Sequence, residues 1–191
     1  MFAVDKLVAD CISAAEEDDP RLAVRHVLER FVADDPLRAG PVMPTPGLNV
    51  LYNSRELTVL DVVWPPLISL YPHDHRMWAA IGIYSGQEDN TFYRRRAGRI
   101  VTSGGKELSE RHVLLLGDDA IHSVRNPTRK YTGAIPVYGG DFIGTPRSQW
   151  DAETLTEEPY DLEAVKLAFE RADRMFQANQ ARGTWSDRAE A

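Results

Sequence analysis

The middle of the chain limits the fold more than any other part. Between residues 47 and 150, short β-branched and aromatic runs alternate with turn residues at the spacing of an all-β sandwich or barrel. The pattern predicts strands over Leu57–Trp64, Leu67–Tyr71, Met77–Tyr84, Thr91–Arg95, His112–Leu116, His122–Val124 and Ala134–Tyr138. Turn signals separate them at Pro65-Pro66, Ser85-Gly86, Gly104-Gly105, Gly117-Asp118-Asp119 and Asn126-Pro127. Closing such a sheet removes its edges and leaves an interior where a ligand can sit.

Helical patterns flank this zone. Val4, Leu7, Val8, Cys11, Ile12 and Ala15 form one apolar stripe at spacings of three and four. Pro20 suits the first turn of a second helix with Asp19 as N-cap, and Val24, Val27, Leu28, Phe31 and Val32 make its stripe. At the other end, Asp161 is an N-cap candidate for a helix carrying Leu162, Val165, Phe169, Ala172 and Phe176, expected to pack on the outside of the barrel. The reading is one domain over residues 1–191: a helical part to about 46, the barrel over 47–150, then a helix and a polar tail from about Gly183.

Composition narrows the function classes. The net charge is −7, and Arg94-Arg95-Arg96 is the one dense basic run, so nucleic acid is not an expected partner. No stretch approaches the roughly 20 apolar residues needed to span a bilayer, so no membrane partner is expected either. The N-terminus lacks the basic start and apolar run of a signal peptide. Cys11 is the only cysteine, which excludes an internal disulfide and fits a reducing compartment. The expected location is therefore cytoplasmic, as a monomer or homodimer.

Of five histidines, two stand in Pro72-His73-Asp74-His75. Residues i and i+2 of a strand share a face, so His73 and His75 aim together into the barrel and Asp74 points away. Paired neutral imidazoles suit a divalent metal such as iron, zinc, nickel or copper. A third histidine, His122, follows the turn at Gly117-Asp118-Asp119 and opens a new strand. His26 lies off its helical stripe and reads as a surface residue. His112 begins an apolar strand and reads as structural.

These two segments resemble the two motifs of the cupin superfamily. His73-Asp74-His75 with Gly86 matches the first, and His122 with Asn126 matches the second. The resemblance implies a mainly β chain folded as a double-stranded β-helix (a jelly-roll barrel) with N-terminal helices and a C-terminal helix. It also implies that His73, His75 and His122 converge on one metal ion. Where many cupins carry a metal-binding glutamate, this chain reads Trp78-Ala79-Ala80, so no carboxylate is expected there.

Three histidines without that glutamate resemble the thiol dioxygenases, the cysteine dioxygenase and 3-mercaptopropionate dioxygenase family. The likeness runs from Tyr52 to Arg147, through Val59–Trp64, His73-Asp74-His75, Trp78, Gly82 and Val137-Tyr138-Gly139-Gly140. It implies Fe(II) held by the three histidines, with zinc, nickel or manganese as other ions that such a set accepts. It implies a small carboxylate-bearing thiol and O₂ as reactants and a sulfinate as product. Tyr138 is implied as the active-site tyrosine. Arg147 is implied as the carboxylate clamp, with Arg55 as a second candidate. The chain departs from the family at Ala134 and Pro136, where a serine and a histidine would partner the tyrosine. Ala80 stands where some members carry a cysteine that cross-links to it. Proline cannot donate to a sheet ladder, so the stretch around Pro136 is expected at an edge or bulge. A non-oxidative metal-dependent lyase or isomerase and a non-catalytic small-molecule-binding barrel are the alternative readings.

Overall fold

A computed structural model describes residues 2–33 and 45–182. The tail from Gly183 and the segment joining the N-terminal helices to the barrel lie outside the described residues. Two helices lead, α1 (Phe2–Ala14) and α2 (Pro20–Ala33). Leu22 N donates to Asp19 Oδ1 at the start of α2, which makes Asp19 the expected cap.

Eleven strands follow among the described residues: β1 (Gly47–Asn53), β2 (Thr58–Trp64), β3 (Ser69–Asp74), β4 (Ala79–Ser85), β5 (Gln87–Arg96), β6 (Arg99–Ser109), β7 (Val113–Leu116), β8 (Ile121–Arg125), β9 (Thr132–Tyr138), β10 (Ser148–Trp150) and β11 (Glu157–Pro159). The last helix is α3 (Leu162–Ala181). Asp161 caps it by accepting from Ala164 N. Among the described residues no helix is long and apolar enough to cross a membrane.

The strands form two antiparallel sheets, ordered β1-β2-β9-β4-β7 and β11-β10-β3-β8-β5-β6. Non-consecutive neighbours, β2-β9, β9-β4 and β4-β7 in the first order and β10-β3, β3-β8 and β8-β5 in the second, give the jelly-roll barrel. Inward residues such as Leu60, Val62, Ile81, Leu114 and Val124 form one core between the sheets. The first sheet is covered on its other face too. Val59, Ala80, Ile135 and Val137 point outward and bury against Leu7, Cys11, Val24 and Leu28 of α1 and α2. Burial on both faces explains why every residue of β2 and β9 is buried.

Three expectations about the fold are corrected. Gly104-Gly105 is not a turn but lies inside β6, where the register with β5 shifts between Phe92 and Tyr93. The hairpin turn is Ala97-Gly98, both at positive φ (50° and 76°), as a two-residue turn matching strand twist requires. β6 gave no sequence signal because only Ile100 and Leu108 in it are buried. Secondly, Pro136 sits in a central strand, pairing with Ile81 of β4. Its missing N–H shows instead as a gap in the β2–β9 ladder, which runs through Val59↔Val137 and resumes at Val62↔Ala134 in the same register. Thirdly, α3 does not simply pack outside. Val165 and Phe169 join the inner core, with the Phe169 ring 4.9 Å from that of Trp64, so the helix closes the barrel interior.

Candidate metal centre

Backbone pairing assembles the centre. His73 and His122 are register partners across β3 and β8. His75 stands one residue beyond β3, just before Arg76, which takes a left-handed φ of 56°. The three rings lie 4.7, 4.9 and 5.2 Å apart between centroids, and one ring nitrogen from each falls within 4.8 Å of the others. All three are buried. His26 is exposed, as expected, and His112, also exposed, accepts from Ser109 N through its Nδ1; neither belongs to the cluster.

Hydrogen bonds select which nitrogens face inward. His73 Nδ1 donates to the Tyr71 carbonyl at 3.1 Å, and His122 Nδ1 donates to Asn90 Oδ1 at 2.7 Å. Both leave Nε2 with its lone pair free. His75 Nε2 is 3.2 Å from His122 Nε2, close to the separation of two nitrogens that share an ion at about 2.1 Å. His75 Nδ1 is buried without a partner. Burial, first of all, holds the imidazoles neutral: His73 is lowered to about 4, and His75 and His122 are well below the ordinary value. Neutral, convergent and buried, the donor set fits a divalent ion of the borderline class.

Asp74 turns away, as the alternation predicts. It accepts from Ser148 N at 2.7 Å and so fastens β10 to the strand that carries His73. Asn126 is also structural. Its amide donates to the Trp64, Pro65 and Lys130 carbonyls, tying the end of β2 to the loop between β8 and β9.

The cavity beside the histidines has a volume of about 30 Å³, room for roughly two waters. Tyr138 lines it, its ring 4.9 Å from His75 and stacked 4.1 Å from Phe142. Burial pushes its phenol up. Ala134 and Pro136 are apolar wall. Arg147 is 6 % exposed and its Cζ lies 3.9 Å from the Phe142 ring and 3.8 Å from that of Tyr160. Its Nη1 donates to the Phe142 and Thr145 carbonyls, while Nε and Nη2 are buried without partners. Tyr160 reaches both places, since its ring is also 5.8 Å from that of His73. Tyr71 Oη is a further buried group without a partner. Arg55 is not brought to the site; it is exposed in the bend between β1 and β2, because that hairpin ends at the barrel rim.

A carboxylate missed by the sequence reading is present. Glu88, 2 % exposed, lines the same cavity from β5. Its Oε1 accepts from Asn90 Nδ2 at 2.9 Å, and burial pushes its carboxyl up to about 7. The period-two alternation of Glu88, Asn90 and Phe92 was the available signal, but the strand was predicted only from Thr91.

No protein-family model and no curated protein matches the chain. Among solved structures it is similar to an RmlC-like cupin family protein with a double-stranded β-helix fold from Methanocaldococcus jannaschii, at 12 % identity over 53 % of this chain and 85 % of that one, with a TM-score of 0.44. A cupin superfamily protein from Desulfitobacterium hafniense gives 13 % identity, 53 % and 90 % coverage and a TM-score of 0.42. Oxalate decarboxylase from Bacillus subtilis gives 15 % identity over 46 % of this chain and 22 % of that one, with a TM-score of 0.39. These likenesses carry nothing about chemistry; the strand order described above is what makes the chain a mainly β jelly-roll with N-terminal helices and a C-terminal helix, whose three-histidine cluster could hold a metal.

Proposed function

We propose that the protein is an Fe(II)-dependent thiol dioxygenase-like enzyme acting on a small thiol that carries a carboxylate. The observation that carries this reading is the pairing of a buried three-histidine cluster with Arg147, whose Nε and Nη2 are buried and unpartnered. Buried donors without partners are rare in native proteins and ask for a ligand. A planar guanidinium fork clamped between two rings is suited to a carboxylate.

His73, His75 and His122 would hold the ion, which when bound supplies the one-electron chemistry that O₂ requires and acidifies a thiol. Arg147 would bind the carboxylate and fix the distance to the sulfur. Phe142 and Tyr160 hold the guanidinium in place, and Tyr138 would donate its phenolic proton as a hydrogen bond beside His75. Val165, Phe169 and Trp64 exclude water from the far side. In the balanced reaction a thiol and O₂ give a sulfinic acid: the sulfur loses four electrons, O₂ gains four, and two S–O bonds form.

The test is thiol-dependent O₂ uptake by iron-loaded protein with 3-mercaptopropionate, cysteine and cysteamine, with the sulfinate identified by mass. No uptake with any of the three would overturn the reading. Ala134 and Pro136 favour a second one, a non-oxidative lyase or isomerase, because neither residue can hydrogen-bond the tyrosine through its side chain. Turnover of a carboxylate substrate by zinc- or nickel-loaded protein without O₂ would establish that alternative.

A further inference from the structure

Glu88 has no part in the reaction just proposed, yet its position is costly. A carboxyl group 2 % exposed among Val62, Leu70, Ile81 and Val124 loses most of its hydration. Asn90 Nδ2 donates to its Oε1 at 2.9 Å, and the Trp64 indole also faces the carboxyl. Asn90 is itself 2 % exposed, and its Oδ1 accepts from His122 Nδ1 at 2.7 Å.

The direction of each bond is forced. For His122 Nε2 to ligate, Nδ1 must carry the proton and donate it. The amide must then present its oxygen to His122, so its NH₂ group faces Glu88, which must accept. A reversed amide would leave the proton on His122 Nε2 and block ligation. The chain Glu88–Asn90–His122 therefore reads in one sense only, from a carboxylate to a metal-facing nitrogen. Buried hydrogen bonds in series polarise one another.

We propose that Glu88, acting through Asn90, is a positioning residue for His122 and supplies one amide away the negative charge that a three-histidine set lacks. This rests on the metal-site reading above. It gives the centre a carboxylate without using a coordination position, which leaves those positions for reactants. Partners of this kind change metal affinity by about 10- to 100-fold when removed.

Cobalt(II) is the probe, added to the full chain at pH 8 in competition with a chelator and followed by its visible spectrum. Glu88→Gln keeps the size and the acceptor but removes the charge, and binding should weaken about 10- to 100-fold. Adding Asn90→Asp to that variant places a carboxylate directly on His122 and should restore the loss. The metal-free Glu88→Gln protein should melt at or above the wild-type temperature, because it buries no charge. Unchanged cobalt affinity in Glu88→Gln, or a loss that Asn90→Asp does not restore, overturns the inference while leaving the metal centre standing. A lower melting temperature with unchanged affinity would mark Glu88 as structural only, which also overturns it. Failure of the wild-type chain to bind cobalt defeats the metal-site reading itself.

Discussion

His73 and His122 are paired across the β3–β8 ladder with their rings 4.7 Å apart. Directly opposed residues on antiparallel strands project from the same face, so the sheet's own hydrogen bonds set the spacing of two of the three candidate ligands. A centre mounted on strands holds its geometry better than one mounted on loops. His75 completes it from the residue after β3.

Removing one histidine should therefore empty the centre without unfolding the barrel. His122→Ala is expected to lower zinc or cobalt affinity by more than about 100-fold, the upper end for losing a mere hydrogen-bonding partner. Equilibrium dialysis with metal analysis measures it. His26→Ala and His112→Ala, both exposed, serve as controls and should bind as wild type. Full metal occupancy in His122→Ala would refute the constellation.

Substitution of Arg147 separates substrates. Arg147→Lys keeps a charge but loses the flat fork stacked on Phe142 and Tyr160. Hydrogen bonds to charged groups are worth about 1.5–3 kcal/mol, so kcat/KM for 3-mercaptopropionate should fall by roughly 10- to 150-fold. Cysteamine, which has no carboxylate, should be spared. Equal losses on both thiols would show that Arg147 supports packing and not recognition.

Stability of the metal-free protein should depend on pH from two sides. Unfolded imidazoles take up protons near 6.5, but folded His73 stays neutral down to about 4. Between those values the unfolded chain binds more protons, so stability falls as the pH falls. Glu88 acts in the opposite sense. Its carboxyl is raised from 4.5 to about 7, so the folded state retains a proton there and stability falls as pH rises through that window. Relative to wild type, Glu88→Gln should gain about 3 kcal/mol more at pH 8 than at pH 4. Urea unfolding at the two pH values reads this directly, and an equal gain at both would rule out the raised carboxyl.

Close packing around β9 offers a stability test away from the metal. A Cβ on Gly133 would overlap the ring of Tyr84, whose hydroxyl donates to Asp61 Oδ1 at 2.8 Å. Tyr84 belongs to the outer core beneath α1 and α2. Gly133→Ala should cost about 1–3 kcal/mol, seen as a lower urea midpoint, while metal stoichiometry is retained. A midpoint unchanged from wild type would mean that Tyr84 and its bond to Asp61 yield without cost.

The strands from β2 to β5 and from β7 to β9 were legible in the sequence because period-two burial and turn chemistry act between near neighbours. Asp19 and Asp161 were legible as caps for the same reason, as was the inward pairing of His73 with His75. β6 was not, since exposure on both faces leaves its residues without a pattern. Pro136 reads locally as an edge residue, but burial of both faces of β9, beneath α2 and against the inner core, outweighs one lost ladder bond. Glu88 and Asn90 show the limit most clearly. Period-two alternation marks Glu88 only as sharing a strand face with Asn90 and Phe92. Only the β5–β8 pairing, which sets Phe92 opposite His122, brings Asn90 under that imidazole and Glu88 into the cavity. Local periodicity settles what kind of element a segment forms; long-range register and burial decide which groups meet, and chemistry depends on the meeting.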